Sequence, residues 1–289
     1  MEKLISYYNI FKDCTFPIKD VNSLLRSYIH SKDVANYRKL SIEILNAAIY
    51  RNITKVLIVT GFPISCESGV NVENDGPLGS LVLVKAMKAV SPNVSIDLFC
   101  MNRFAECFKC FFENSICLIH SKDHIIQRLV NYDFMFFIEY PGASSDGVFR
   151  NTRGNDISRL VTPLEDILEN ARDQGIITVS IGDRGNEIGM SQLLNFYPRL
   201  LPEDCFSNTC ANYMLWAPVS NWAAYILSRA IVDMAGIKQC YIHSSYDEVK
   251  LLMRASRCGM VDGILMRKGM SVDGVPLHFN LSVVNKIFD

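Results

Sequence analysis

Short apolar runs recur through the middle of this chain, each separated from the next by a stretch with helical spacing. The clearest is Lys55-Val56-Leu57-Ile58-Val59-Thr60-Gly61. It is continuous rather than alternating, so both faces of such a strand must be buried. Residues 94–100, 115–119, 134–139 and 176–181 read the same way. Between and after them, helices are predicted over 77–90, 104–112, 123–130, from about 163 to 174, over 221–235, from Ser245 onward and over 281–288. Pro77 fits a first helical turn, where a missing N–H costs nothing. Thr162-Pro163-Leu164-Glu165 and Ser245 with Glu248 have the spacing of capping boxes. Doubly buried strands alternating with helices specify an α/β three-layer sandwich with a mostly parallel central sheet. Residues 1–52 read as a helical N-terminal segment, with Val21, Leu24, Leu25 and Ile29, then Leu40, Ile44, Leu45 and Ala48, at spacings of three and four. That segment is expected to pack onto the sheet, so that 1–289 form one α/β domain.

Bulk properties exclude several classes. The net charge is −1 with no block of like charge, which gives no electrostatic footprint for nucleic acid or an anionic membrane. A mean hydropathy of +0.14 points to a substantial core. The most apolar long stretch, Trp222 to Ala235, is interrupted by Arg229 and Asp233 and reads as a buried helix rather than a membrane span. No leader-like segment opens the chain, so a cytoplasmic protein is expected. Ten irregularly spaced cysteines fit structural thiols in a reducing compartment. Cys107-Phe108-Lys109-Cys110 has no second CxxC to complete a zinc site, and His120 with His124 lacks the glutamate of HExxH. There is no GxxxxGK[ST], no GxGxxG after Gly61 and no GxSxG, which argues against nucleotide binding and acyl-enzyme chemistry.

The polar residues collect where strands end or helices begin. The first strand ends at Thr60-Gly61, and Glu73-Asn74-Asp75-Gly76-Pro77-Leu78-Gly79-Ser80 opens the next helix. The strand at 134–138 ends in Glu139-Tyr140-Pro141-Gly142 and runs on through Asp146-Gly147 to Asn151-Thr152-Arg153-Gly154-Asn155-Asp156. The strand at 176–181 ends in Gly182-Asp183-Arg184-Gly185-Asn186-Glu187-Ile188-Gly189-Met190. Val219-Ser220-Asn221-Trp222 precedes the long helix. In an open α/β sheet such loops converge on the crevice at the carboxyl ends of the strands.

That address makes Thr60, Gly61, Asp75, Gly76, Gly79, Asn151 and Arg153 candidates for substrate binding, with the N–H groups near Gly76 and Gly79 available to an anion. Asp75 fits equally well as a cap for the helix at Pro77, and Asp156 as a loop-folding residue. Glu139 follows a buried apolar strand, where a lone carboxylate is costly, so it reads as functional. Asp183 and Glu187, with Asn186 between them, offer oxygen ligands to a hard cation or an acid and a base. Arg153 suits a substrate carboxylate by its planar fork, or else neutralises an acidic neighbour.

Taken in order, these motifs resemble the D-glutamate cyclase family over about residues 55–265. The family pattern, however, has threonine at Asn74, proline at Leu78 and glycine at Arg184. The resemblance implies a hydro-lyase that interconverts D-glutamate and 5-oxo-D-proline with a divalent cation, manganese being the expected one. The residues singled out above suit that chemistry, with Glu139, Asp183 and Asn186 as the expected catalytic groups, Asp183 and Glu187 as the expected metal ligands and a small dicarboxylic amino acid or its lactam as the expected partner. A metal-dependent cyclic amide hydrolase and a non-catalytic binder of an acidic metabolite are the alternatives.

Overall fold

The computed structural model describes residues 33–48, 55–113, 116–196, 198, 200–237 and 241–288. In chain order the elements are α1 (Asp33–Asn46), β1 (Lys55–Thr60), β2 (Pro63–Cys66), β3 (Gly69–Val72), α2 (Pro77–Val90), β4 (Ser95–Phe99), α3 (Ala105–Phe112), β5 (Cys117–Ile119) and α4 (Lys122–Arg128). They continue with β6 (Phe134–Ile138), α5 (Glu165–Asp173), β7 (Ile177–Gly182), α6 (Leu193–Phe196), β8 (Tyr213–Trp216), α7 (Ser220–Met234), α8 (Ser245–Cys258) and α9 (Leu277–Phe288).

Six strands form a wholly parallel sheet in the order β5-β4-β1-β6-β7-β8, flanked by helices as a three-layer α/β sandwich. The continuous apolar strands are the central ones: every residue of β6 is buried, as are Val56 to Thr60 of β1. The most enclosed helix is α7, packed against α1, α2 and α9. It is the 221–235 stretch of the sequence, and its apolar character all round matches burial on every side. No helix among the described residues is long and apolar enough to cross a membrane. Within the N-terminal segment, α1 sets Tyr37, Leu40 and Ile44 into the main core; the rest of the helical reading, over 1–32 and 49–52, lies outside the described residues.

The structure departs from the sequence reading where side chains find longer-range partners. The box at Thr162 does not form: α5 starts at Glu165, whose carboxylate accepts from the N–H groups of Ala143 (2.7 Å) and Leu164 (3.0 Å). The helix at 245 is capped one residue earlier, by Ser244 Oγ accepting from the Asp247 N–H. Glu248 instead lies buried between α7, α8 and α9, accepting from Tyr225 Oη and Asn280 Nδ2 and bonded to His243 Nε2. The hairpin β2–β3 and the four-residue strand β8 were not predicted from sequence. Cys110 and Cys258 are not free thiols but a disulfide joining α3 to the end of α8.

Candidate active site

The strand order fixes where a site can form. From β1 the chain moves outward through β4 to β5, returns to β6 on the other edge of β1, and then moves outward again through β7 and β8. The direction of winding reverses between β1 and β6, and the loops leaving their carboxyl ends part to open a crevice. Thr60 and Gly61 close β1 on one side of this crevice. Glu139 leaves β6 on the other, and the Gly61 N–H donates to the Glu139 carbonyl at 3.2 Å. Glu139 has φ of 47°, a left-handed conformation that is sparsely populated for a residue with a long side chain. Its Oε2 accepts from Ser220 Oγ at 2.5 Å.

Beside the crevice two helix N-termini cap each other. Asp75, just before α2, accepts from the Ser220 N–H (2.8 Å) and Asn221 N–H (2.7 Å) at the start of α7. Asn221 Oδ1 accepts in return from the N–H groups of Gly76 (2.8 Å) and Gly79 (2.7 Å) at the start of α2. Asp75 is thus a cap, but for the distant helix. The N–H groups of Gly76 and Gly79, read from sequence as anion donors, are consumed by Asn221. Gly79 stands where α2 crosses α7, with the Ala224 Cβ only 2.8 Å from where its own would be. Gly76 has φ of +90°, and a Cβ there would lie 2.6 Å from Thr60 Oγ1 and 2.7 Å from the Glu139 Cβ. Only glycine lets the chain pass that close to Glu139. Asn221→Ala is expected to cost about 1–3 kcal/mol, since it orphans two buried donors, and chemical denaturation measures the loss.

The glycine loop after β7 is shaped by its own glutamate. Glu187 Oε1 accepts from the N–H groups of Asp183 (3.1 Å) and Arg184 (3.0 Å), and Oε2 from Gly185 (2.7 Å). A Cβ on Gly182 would lie 2.6 Å from that carboxylate, which explains the glycine at this strand end. Trp216 Nε1 donates to the Asp183 carbonyl at 2.7 Å, so β8 fixes the loop from the side. The Asp183 carboxylate is left pointing at other acids, with Arg184 Nε on its Oδ2 at 3.1 Å.

The result is a concentration of buried carboxylates: Glu73, Asp75, Glu139, Asp183, Glu187 and Asp273 are each at most 5% exposed. One oxygen from each of Asp75, Asp183 and Asp273 lie within 4.8 Å of one another, and so do one each from Glu139, Asp183 and Glu187. Asp183 belongs to both triads. Burial is the first cause that pushes the Glu73, Asp75, Glu139 and Asp183 carboxyls well above the usual range, and the neighbouring acids add to it. Ser220 pulls Glu139 back, Arg184 pulls back Asp183, and three backbone N–H bonds pull back Asp75. Such a group must retain protons or receive a cation, and all-oxygen ligands suit a hard divalent ion.

A cavity of about 390 Å³ opens onto the cluster, lined by Glu73, Glu139, Asp183, Arg184, Asn186 and Asp273 within and by Asn151, Arg153 and Met266 nearer the rim. Asn186 donates through Nδ2 to the Arg150 carbonyl, yet its buried Oδ1 has no partner among the described residues; nor has Thr60 Oγ1. Orphaned acceptors beside clustered acids fit a bound cation or a ligand N–H. At the rim Asn151 Oδ1 accepts from the Arg153 and Asn155 N–H groups, so this side chain folds its loop. Arg153 is exposed and bonds to the Ile264 carbonyl and Met266 Sδ, rather than to an acidic side chain. Asp156 accepts from the Ser158 N–H, a loop-folding bond.

Two cluster members were missed as site residues from sequence. Glu73 was read only as part of a motif. Asp273 was not singled out, although Asp273-Gly274 is a hairpin-turn signature. It turns between Val272 and Val275 with φ of 50° and 72°, which aims the aspartate inward.

A sequence description of the D-glutamate cyclase-like, C-terminal family matches residues 23–288. The chain belongs to that family. Among curated proteins it is similar to the human mitochondrial D-glutamate cyclase, with 25% identity over 295 residues, covering 86% of this chain and 47% of the relative. This member of the D-glutamate cyclase-like family therefore spans about half the length of that relative. Among solved structures it is similar to the crystal structure of RecJ in complex with Mn2+ from Thermus thermophilus. There the identity is 10% and the TM-score 0.35, covering 88% of this chain and 27% of that one. No residue role is carried across from that likeness.

Proposed function

We propose that this chain is a hydro-lyase of the D-glutamate cyclase type, interconverting D-glutamate and 5-oxo-D-proline with loss or gain of water. The observation that carries the reading is Glu139, a buried carboxyl with a raised proton affinity on the cavity wall, held by Ser220 Oγ and with an oxygen within 4.8 Å of one from Asp183.

Ring closure joins the amine nitrogen to the distal carboxylate carbon and expels one carboxylate oxygen as water. The ammonium group gives up two protons, both of which leave with that oxygen, so no net proton is consumed. The reaction therefore needs a group that takes a proton from nitrogen and returns it to oxygen. A carboxyl whose proton affinity has been raised does both, whereas an ordinary carboxylate is too weak a base. Ser220 Oγ holds one oxygen of Glu139 and leaves the other for this exchange. Asn186, with its free Oδ1, is suited to accept from the substrate amine or the lactam N–H. Asp183 and Glu187 are the residues that would hold a divalent cation, manganese being the expected ion; bound there, it would supply charge neutralisation at the reacting carboxylate. The closed walls restrict the open-chain amino acid to conformers in which nitrogen faces the carboxylate.

The test is to incubate the protein with D-glutamate, with and without Mn²⁺, and to follow 5-oxoproline by chromatography, running the reverse reaction from the lactam in parallel. Formation in either direction supports the cyclase reading. Binding of D-glutamate without turnover in either direction would show a binding protein instead.

A further inference from the structure

The acidic cavity carries one cation in its own wall whose hydrogen-bonding edge is free. Arg184 follows Asp183 in the loop after β7, its side chain is 15% exposed, and it lines the cavity. Its Nε donates to Asp183 Oδ2 at 3.1 Å, which fixes the plane of the guanidinium. Neither Nη has a hydrogen-bond partner among the described residues. The other guanidinium lining this cavity, that of Arg153, is occupied at the rim by the Ile264 carbonyl and Met266 Sδ. An entering carboxylate thus meets a wall carrying the buried acids Glu73, Glu139, Asp183 and Asp273 and one planar fork that fits it.

The geometry points to Arg184 as the anchor and selector of the distal carboxylate of a dicarboxylic amino acid. This rests on the cyclase reading above and adds to it the residue that distinguishes a free distal carboxylate from an amide. The choice of the distal group follows from Glu139. The amine must reach Glu139, and the carbon it attacks must lie next to that amine. Arg184 is bonded to Asp183, whose carboxylate shares a triad with Glu139. The guanidinium therefore stands on the side of the cavity where the attacked carbon sits. A fork placed there removes the charge that makes a carboxylate a poor electrophile, and it also favours the oxyanion formed on attack. Nε held by Asp183 keeps the fork from turning away.

Isothermal titration of the whole chain with D-glutamate and with D-glutamine tests this, because the two differ only by an amide in place of the distal carboxylate. Wild type is expected to bind D-glutamate more tightly. Arg184→Met is expected to weaken D-glutamate by about 10- to 100-fold, the scale of a lost charge-assisted contact, while D-glutamine changes by less than about twofold. Arg184→Lys, which keeps the charge without the fork, is expected to fall between. Comparing two ligands in each variant cancels any general loosening of the loop. Equal weakening of both ligands, or unchanged D-glutamate binding, overturns the role of Arg184 and leaves the cyclase reading intact. Failure of wild type to bind D-glutamate at all overturns both.

Discussion

Glu139→Gln is expected to lower turnover of D-glutamate to 5-oxoproline by about 10²- to 10⁴-fold, the usual contribution of a positioned proton-transfer group. The substitution keeps the shape of the side chain and an oxygen for Ser220 Oγ, so the bond between α7 and the end of β6 survives. What it removes is the capacity to take a proton. It also deletes one charge from a cluster whose members raise one another's proton affinity, so the variant should be no less stable than wild type by thermal denaturation. The pH profile supplies a second measure. A general base works in its deprotonated form, and burial with Glu187 and Asp75 nearby pushes the Glu139 carboxyl up. The rate should therefore decline as pH falls through a value above the ordinary glutamate range of about 4.3, and the residual rate of Glu139→Gln should lack that limb. Unchanged turnover in a correctly folded Glu139→Gln protein would sink the assignment.

The fold was legible because its strands are doubly buried: Val56-Leu57-Ile58-Val59 and Phe134-Met135-Phe136-Phe137-Ile138 admit little except the middle of a covered parallel sheet. The carboxyl-end rule then led to Thr60, Glu139, Asp183 and Asn186 without any knowledge of strand order. Three things escaped. Strand β8 has only Tyr213 to Trp216 to declare itself, and β2–β3 is short and partly exposed, with a proline at its start. Asp273 comes from a turn far along the chain from the other acids, and nothing in the local pattern Val272-Asp273-Gly274-Val275 separates an inward-pointing aspartate from a solvated one. Side-chain partners at long range were equally hidden. Asp75 and Asn221 are separated by 146 positions, and the exchange of caps between them exists only once α2 and α7 lie side by side. Gly76 and Gly79 looked like donors awaiting an anion because Asn221 could not be placed against them from sequence.

Asp183→Asn is expected to abolish both cation binding and turnover, because Asp183 is the one carboxylate common to the two triads. In wild type, Mn²⁺ should raise the melting temperature, and the rise should grow with pH. The sign follows from the carboxyls themselves. Burial raises Glu73, Asp75, Glu139 and Asp183 above their unfolded values. The stability they contribute is thus complete below pH of about 4 and is lost as pH rises through the raised folded values. Alkaline conditions leave the cation-free cluster charged and mutually repelling. A divalent ion replaces the missing protons, so it stabilises little near pH 5 and most near pH 8. At a concentration one hundred times its dissociation constant the gain is about 2.7 kcal/mol. In Asp183→Asn that increment should vanish at every pH, with turnover at least about 100-fold lower, while Arg184 keeps Glu139, Glu187 and Asp273 as neighbouring charges and the loop stays folded on Glu187. Thermal scans at pH 5 and pH 8, with Mn²⁺ and then with excess chelator, read the effect directly. A wild-type melting temperature indifferent to Mn²⁺ at pH 8, or an Asp183→Asn protein that responds as wild type does, would remove the cation from the reaction and leave the acids to act through their protons alone.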